Sequence, residues 1–304
     1  MSRDTGNERP ARFAETLRER AERMLERLSR CDICPRLCLV DRKKGEPGVC
    51  RTGRLAEVAS YGPHFGEEAP LVGSSGSGTV FFSGCNLRCS FCQNFEISHL
   101  GAGEKMPPEK LAGVFLSVQQ MGCHNLNLVT PTHVTPQILE ALSMAVARGM
   151  SLPIVYNCSG YESVETLREL EGVVDIYMPD IKFLSRESAQ RYCDAPDYPE
   201  VVRGAVREMA RQVGPLSLDR QGVARRGLLV RHLVMPDGAS TTREVIDFLA
   251  EEIGEDTYLN LMDQYRPCGR ALEFSEIGRR TSSAEWVEAR DYALSRGLER
   301  LDGV

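Results

Sequence analysis

Three cysteines fall within eight residues, Cys85-Asn-Leu-Arg-Cys89-Ser-Phe-Cys92. Thiolates spaced C-x3-C-x2-C can wrap one compact metal centre. A structural zinc is closed by four ligands, and an ordinary iron–sulfur cluster is also held by four cysteines. Three neighbouring cysteines leave one position open for a substrate or cofactor, which is what catalysis needs. A second group, Cys31-x2-Cys34-x3-Cys38-x11-Cys50, puts four thiols on one short segment. It lacks the two matched C-x2-C pairs of a zinc ribbon, and its C-x2-C-x3-C spacing with a Cys-Pro pair is at home with iron–sulfur clusters. Structural zinc and a second cluster both fit this segment.

The elements that must position these groups follow from hydrophobic periodicity. Phe13, Leu17, Ala21, Met24 and Leu28 recur every three or four residues, so residues 10–30 predict an amphipathic helix packed on the body of the protein. Residues 54–78 read as short extended pieces ending in Gly73-Ser-Ser-Gly-Ser-Gly78, a flexible connector. A dinucleotide loop needs strand, glycines and helix in that order, whereas here the glycines precede a strand. From residue 79 apolar strands alternate with helices. The strands are 79–83, 125–129, 152–156, 173–178, 228–234 and 258–262; the helices are 108–121, 135–148, 162–170, 198–213, 241–253 and 283–297. Six alternations predict parallel strands with right-handed helical crossovers. The count is too low for a closed eight-stranded barrel, and an open partial barrel and a doubly wound sheet both remain. The chain is thus expected to divide into a helix (1–30), a Cys-rich extension and connector (31–78) and the main α/β domain (79–304).

In either topology, chemistry belongs at the C-terminal ends of the strands. The cysteine triplet follows the first strand. Thr130-Pro-Thr132-His133 follows the second and offers hydroxyl and imidazole groups, although Thr135-Pro136 beyond it also suits a helix entry. Asn157-Cys-Ser159-Gly160 follows the third, where polar side chains beside a glycine admit a ribose or a cation, or form a plain turn. After the fourth, Asp180 and Lys182 share parity with Met178 and suit a zwitterionic ligand or one another. In the fifth, Arg231 and His232 are adjacent, so only one faces inward, and the planar fork of Arg231 suits a carboxylate. Asp263-Gln264-Tyr265 ends the sixth. Cys123, Cys193 and Cys268 read as ordinary buried or loop thiols.

The motif Cys85-x3-Cys89-x-Phe-Cys92 resembles the signature of the radical S-adenosylmethionine (SAM) superfamily. Residues 79–265 resemble the uncharacterised relatives of pyruvate formate-lyase-activating enzyme. The resemblance implies a partial (β/α)6 open barrel with the N-terminal helix and Cys-rich segment added. It implies a [4Fe-4S] cluster with three irons on Cys85, Cys89 and Cys92 and the fourth chelated by SAM. Reductive cleavage of SAM would then give a 5′-deoxyadenosyl radical that abstracts hydrogen from a substrate, the chemistry being the cofactor's. The electron donor would be a flavodoxin or ferredoxin. The substrate is open: a protein glycine, as for an activase of a glycyl-radical enzyme, or a small molecule. The SAM-binding positions implied are Asn94, Thr132, His133, Asn157, Ser159, Asp180, Lys182 and Arg231. The chain departs from the pattern in three places. Gln93-Asn94 stands where activating enzymes have His-Asn. Thr130–His133 stands where a Gly-Gly-Glu segment would hold the SAM amino group. Asn157 stands where Asp opens Asp-Thr-Asn-Gly. The simplest activating enzymes also lack the Cys31–Cys50 segment, which speaks against naming a glycyl-radical enzyme as the substrate.

Composition limits the other classes. With 304 residues, 42% of them apolar, the chain can bury a large core. Lys and Arg number 37 against 43 Asp and Glu, a net charge of −6, which argues against a nucleic-acid binder with a broad basic surface. No apolar run is long enough to span a membrane, and residues 1–20 lack a signal-peptide core. A cytoplasmic protein is expected, in which clustered cysteines bind metal in preference to forming disulfides. The rival reading is a non-enzymatic metal-binding electron carrier or scaffold. Polar groups after four successive strands count against it.

Overall fold

The computed structural model describes residues 8–302. The strands are β1 (Ala56–His64), β2 (Ser77–Phe82), β3 (Glu104–Met106), β4 (Leu126–Val129), β5 (Ile154–Cys158), β6 (Ile176–Pro179), β7 (Ser217–Leu218), β8 (Ala224–Leu233) and β9 (Tyr258–Met262). The helices are α1 (Glu8–Glu26), α2 (Ala69–Val72), α3 (Phe95–Leu100), α4 (Pro108–Gln120), α5 (Thr135–Ala147), α6 (Val164–Glu169), α7 (Arg186–Cys193), α8 (Tyr198–Val213), α9 (Thr242–Phe248) and α10 (Ser283–Ser295). All six predicted strands and the helices between them are present, with ends shifted by a few residues.

β2, β4, β5, β6, β8 and β9 run parallel in that order. The sheet does not close: β1 and β3 extend it antiparallel beyond β2. This is the open partial barrel, and the doubly wound alternative falls away. Two features of residues 54–78 differ from the sequence reading. The extended pieces form the nine-residue strand β1, and the glycine run is no loose connector. Ser77 and Gly78 open β2 and are buried, and a Cβ on Gly78 would stand 2.2 Å from Val118 and 2.6 Å from the Asn125 carbonyl. Glycine is needed there for close packing of strand on helix.

Helix entries follow local chemistry. Pro108, Pro136 and Pro199 occupy first-turn positions of α4, α5 and α8, where the missing N–H costs nothing. Ser163 and Ser185 cap α6 and α7, and Ser282 with Glu285 forms a capping box on α10. α1 buries Leu17, Ala21 and Met24, the predicted face, largely against α5. A short 3-10 turn (Arg27–Arg30) then buries Leu28 and leads into the Cys-rich segment.

Strand parity divides the core. Val155, Ile176, Met178 and Leu229 share faces with Asn157, Asp180 and Arg231 of the same strands, and they form an inner apolar cluster with Leu71 of α2. α2 therefore plugs the N-terminal end of the barrel. The opposite, C-terminal end stays open and polar.

Candidate active site at the open end of the barrel

A cleft of about 240 Å³ opens at the C-terminal ends of the strands, a volume near the lower bound for small-molecule sites. Of the positions expected to bind the cluster and SAM, nine line it: Cys85, Cys89, Cys92, Asn94, Asn157, Ser159, Asp180, Lys182 and Arg231. They come from the loop after β2 and from β5, β6 and β8 with their following residues, so parallel strands in one register gather them.

The triplet loop is strained and tightly seated. Gly84 (φ 83°) and Arg88 (φ 56°) are left-handed, and such conformations persist in non-glycine residues only where the surroundings fix them. Cys85 Sγ accepts N–H bonds from Leu87 (3.4 Å) and Arg88 (3.5 Å), and Cys92 Sγ accepts the hydroxyl of Ser98 (3.1 Å). Burial pushes the Cys85 thiol up to about 12 and raises Cys92 as well. Metal binding would therefore displace protons from these groups. Cys89 moves the other way: a hydrogen bond from Cys193 outweighs burial and lowers it. Phe91, between the second and third cysteines, packs edge-on to Phe183, Tyr192 and Tyr265 and anchors the loop to the core.

The far wall is a charged network. Asp180 pairs with Lys182 and accepts from Arg231 Nε at 2.7 Å. Burial opposes ionisation of Asp180, but Arg231 and Lys182 outweigh it and hold the carboxyl below its usual range. Arg231 also donates to Asn157 Oδ1 (2.8 Å) and to Glu68 Oε1 (3.4 Å). Glu68 further accepts from Asn260 Nδ2 at 3.0 Å. Glu67 lies beside this group, and burial, with Glu68 and Asp180 adding to it, raises its carboxyl to about 7 despite Arg231. Among the described residues Ser159 Oγ is buried with no partner, and Ser159 lines the cleft, so the hydroxyl is available to a polar ligand atom.

Thr132 and His133 stand apart from this cleft. Residues Thr132–Val134 form a 3-10 turn before α5 that carries both side chains away from the open end. Thr132 donates to the buried Glu162, and His133 Nε2 lies 2.8 Å from the Ser83 carbonyl. The residue after β4 that does line the cleft is Thr130, left-handed at φ 60°. Cys31, Cys34, Cys38 and Cys50 cluster in a separate cavity on the far side of Gly84. Among the described residues no three His, Cys, Asp or Glu side chains already stand in single-ion geometry. Loading either cysteine group with metal therefore entails side-chain rearrangement or a multinuclear centre.

Several site residues escaped the sequence reading. Cys193 lies against Cys89, brought there by α7 through a Ser90 N–H to Tyr192 carbonyl bond of 2.8 Å; a lone cysteine at that distance in sequence gives no signal. Ser98 and His99, 2.8 Å apart, support Cys92 from α3. Glu67 and Glu68 lie in the segment read as short extended pieces and a connector, and only the plugging role of α2 reveals them.

An open barrel of six parallel strands with a three-cysteine loop after its first strand defines a class of cluster-binding enzyme folds. The model of the radical SAM superfamily matches residues 79–217. An uncharacterised protein of Methanocaldococcus jannaschii is 30% identical over 279 residues, covering 89% of this chain and 76% of that protein. A second from the same organism is 26% identical over 298 residues, covering 91% and 81%. The chain belongs to the radical SAM superfamily. Among solved structures, a radical SAM methyltransferase from Sphaerobacter thermophilus shares the fold, with a TM-score of 0.50 at 15% identity. It is matched over 73% of this chain, which spans 64% of that structure's length. The superfamily's cofactors are a [4Fe-4S] cluster and SAM. Among the described residues no helix is long and apolar enough to cross a membrane.

Proposed function

We propose that the chain is a radical SAM enzyme with Cys85, Cys89 and Cys92 as its cluster ligands and the adjoining cleft as its SAM site. When bound and reduced, the cluster and SAM supply a 5′-deoxyadenosyl radical for hydrogen abstraction. The observation that carries the reading is the meeting of the three thiols, Asp180, Lys182 and the partnerless Ser159 hydroxyl in one cleft. A pure electron carrier has no use for that polar wall.

The chain's own residues have separable tasks. The N–H groups of Leu87 and Arg88 and the Ser98 hydroxyl steady the thiolates of Cys85 and Cys92. Asp180 and Lys182 offer opposite charges to the carboxylate and amino groups of an amino-acid ligand. Arg231 already has three partners, so it chiefly fixes Asp180 and Asn157 and acts as a positioning residue. Asn94 and Ser159 also line the cleft and would meet the remaining polar atoms. Phe81, Ile97, Leu233 and Met262 line the apolar part of the cleft and would keep water from a reactive species.

The substrate class includes a protein glycine, which would make the chain an activase of a glycyl-radical enzyme, and small molecules. A flavodoxin or ferredoxin would serve as donor. The test is anaerobic: reconstitute with iron and sulfide, reduce, add SAM and quantify 5′-deoxyadenosine. Cys89→Ala should abolish product. Full activity in that variant refutes the assignment.

A further inference from the structure

The four N-terminal cysteines contribute nothing to the cleft, yet their own cavity is unusually specific. It is lined by Cys31, Cys34, Cys38, Cys50, Arg42 and His133. Arg42 is 1% exposed. Among the described residues its guanidinium reaches Cys31 Sγ at 3.6 Å and the Gly53 carbonyl at 3.1 Å, and its Nε has no partner. None of these contacts is a carboxylate. A buried guanidinium without an anion is strongly unfavourable. His133, also 1% exposed, faces the same cavity. Its Nε2 meets the Ser83 carbonyl, an acceptor only, so Nε2 carries the proton; Nδ1 is then a bare lone pair, buried and without a partner. One cavity thus holds an unpaired cation and an unpaired lone pair. Metal-bound thiolates supply the anion that Arg42 lacks. Val49 N–H already donates to Cys38 Sγ at 3.4 Å.

The same segment is bonded to the catalytic loop. Arg36, between Cys34 and Cys38, donates to the carbonyls of Asn86 (2.8 Å) and Leu87 (3.0 Å). His133 holds Ser83, and a Cβ on Gly84 would stand 2.6 Å from the Cys50 carbonyl.

We propose that Cys31, Cys34, Cys38 and Cys50 hold a permanent anionic metal–thiolate centre, with Arg42 as its buried counter-cation, and that this centre braces the loop bearing Cys85, Cys89 and Cys92. Four thiolates exceed the positive charge of Zn²⁺ and of an iron–sulfur core alike, so either source satisfies Arg42. The centre stands independently of the radical SAM reading, because it is argued from residues outside the cleft.

The test removes the cleft ligands. C85S/C89S/C92S, purified anaerobically, is analysed for zinc, iron and acid-labile sulfide, with circular dichroism and gel filtration as the check of folding. The expected result is one metal centre per chain, and the element found says whether it is zinc or iron–sulfur. A folded, metal-free variant overturns the proposal whatever the cleft does. If the triple variant does not fold, the wild-type protein decides: zinc, or iron beyond one [4Fe-4S] cluster, supports the second centre, and neither refutes it. Arg42→Met tests the counter-cation. It should weaken retention of that metal against a chelator roughly 10–100-fold, as loss of a supporting partner commonly does. Unchanged retention removes Arg42 from the account.

Discussion

Glu162 offers the sharpest test of how the cleft is built, because one substitution isolates one titration. Its carboxyl is fully buried behind the Asn157–Gly160 turn, where it accepts from Thr132 and from Tyr156 Oη at 3.2 Å. Burial raises it from 4.5 to about 7, even though Thr132, Tyr156 and Cys158 hydrogen bonds favour the charged form. Between those two values the folded chain keeps a proton that the unfolded chain gives up. Its contribution to stability is therefore complete below about pH 4.5, falls as pH rises and levels off above about pH 7. Each pKa unit is worth about 1.4 kcal/mol, so the loss across the window is about 3 kcal/mol. Glu162→Gln is neutral throughout and keeps the shape. Urea unfolding of both proteins, followed by circular dichroism at half-unit steps from pH 4.5 to 8.5, gives the difference curve. His133 and His232, which burial lowers to about 4, bend both curves equally and cancel in the difference. Wild type should lose about 3 kcal/mol relative to the variant across the window. Parallel curves would refute the claim that Glu162 is held as a neutral acid.

Two other outcomes follow from the same geometry. Asp180→Leu leaves Lys182 and much of Arg231 without their carboxylate, and should cost roughly 3 kcal/mol in urea unfolding; adding Arg231→Met should recover part of it, and strict additivity of the two changes would show that the pair does not interact. Ser98→Ala removes the hydroxyl bond to Cys92 Sγ and should lower the cluster's reduction potential at unchanged iron content, since hydrogen bonds to the sulfurs tune that potential; an unmoved midpoint in an EPR-monitored titration would remove Ser98 from the redox account.

The barrel was legible because each of its six parallel strands carries a short apolar run bounded by turn residues, and β9 matches its predicted span to the residue; the short antiparallel strands β3 and β7 carry no such run. Parity allowed only one of Arg231 and His232 to face inward; the structure turns Arg231 inward and His232 outward, to the Ile181 carbonyl at 2.7 Å and the Thr242 hydroxyl of α9 at 2.9 Å. Residues 54–78 were not legible, because β1 pairs antiparallel with both neighbours, β2 and the three-residue β3, outside the alternating pattern, and α2 is a single turn whose role is to plug the barrel. Thr132 and His133 illustrate a different limit. Their chemical types suit a ligand, but the 3-10 turn that rotates them away depends on backbone angles around Pro131 that no periodicity encodes. The proximity of Cys193 to Cys89 arises from α7 crossing the triplet loop, a contact between residues about a hundred positions apart.

The charge count of the cleft wall was equally hidden, and it bears on what the site admits. Read from the sequence, Asp180, Lys182 and Arg231 sum to one positive charge, which would favour an anion. The structure adds Glu68, whose Oε1 lies 3.4 Å from Arg231 Nη1, and Glu67, raised to about 7. With Glu67 protonated, two cations face two anions and the wall is neutral below about pH 7. A neutral wall with separated charges favours a ligand that itself carries both signs, as the amino-acid end of SAM does. Ionisation of Glu67 behind Arg231 tips the balance negative, which disfavours a carboxylate in the cleft. Affinity for SAM should therefore weaken as pH rises through about 7, and Glu67→Gln, measured by equilibrium dialysis on reconstituted protein, should abolish that dependence. A pH dependence that survives in the Gln variant would place the titrating group elsewhere.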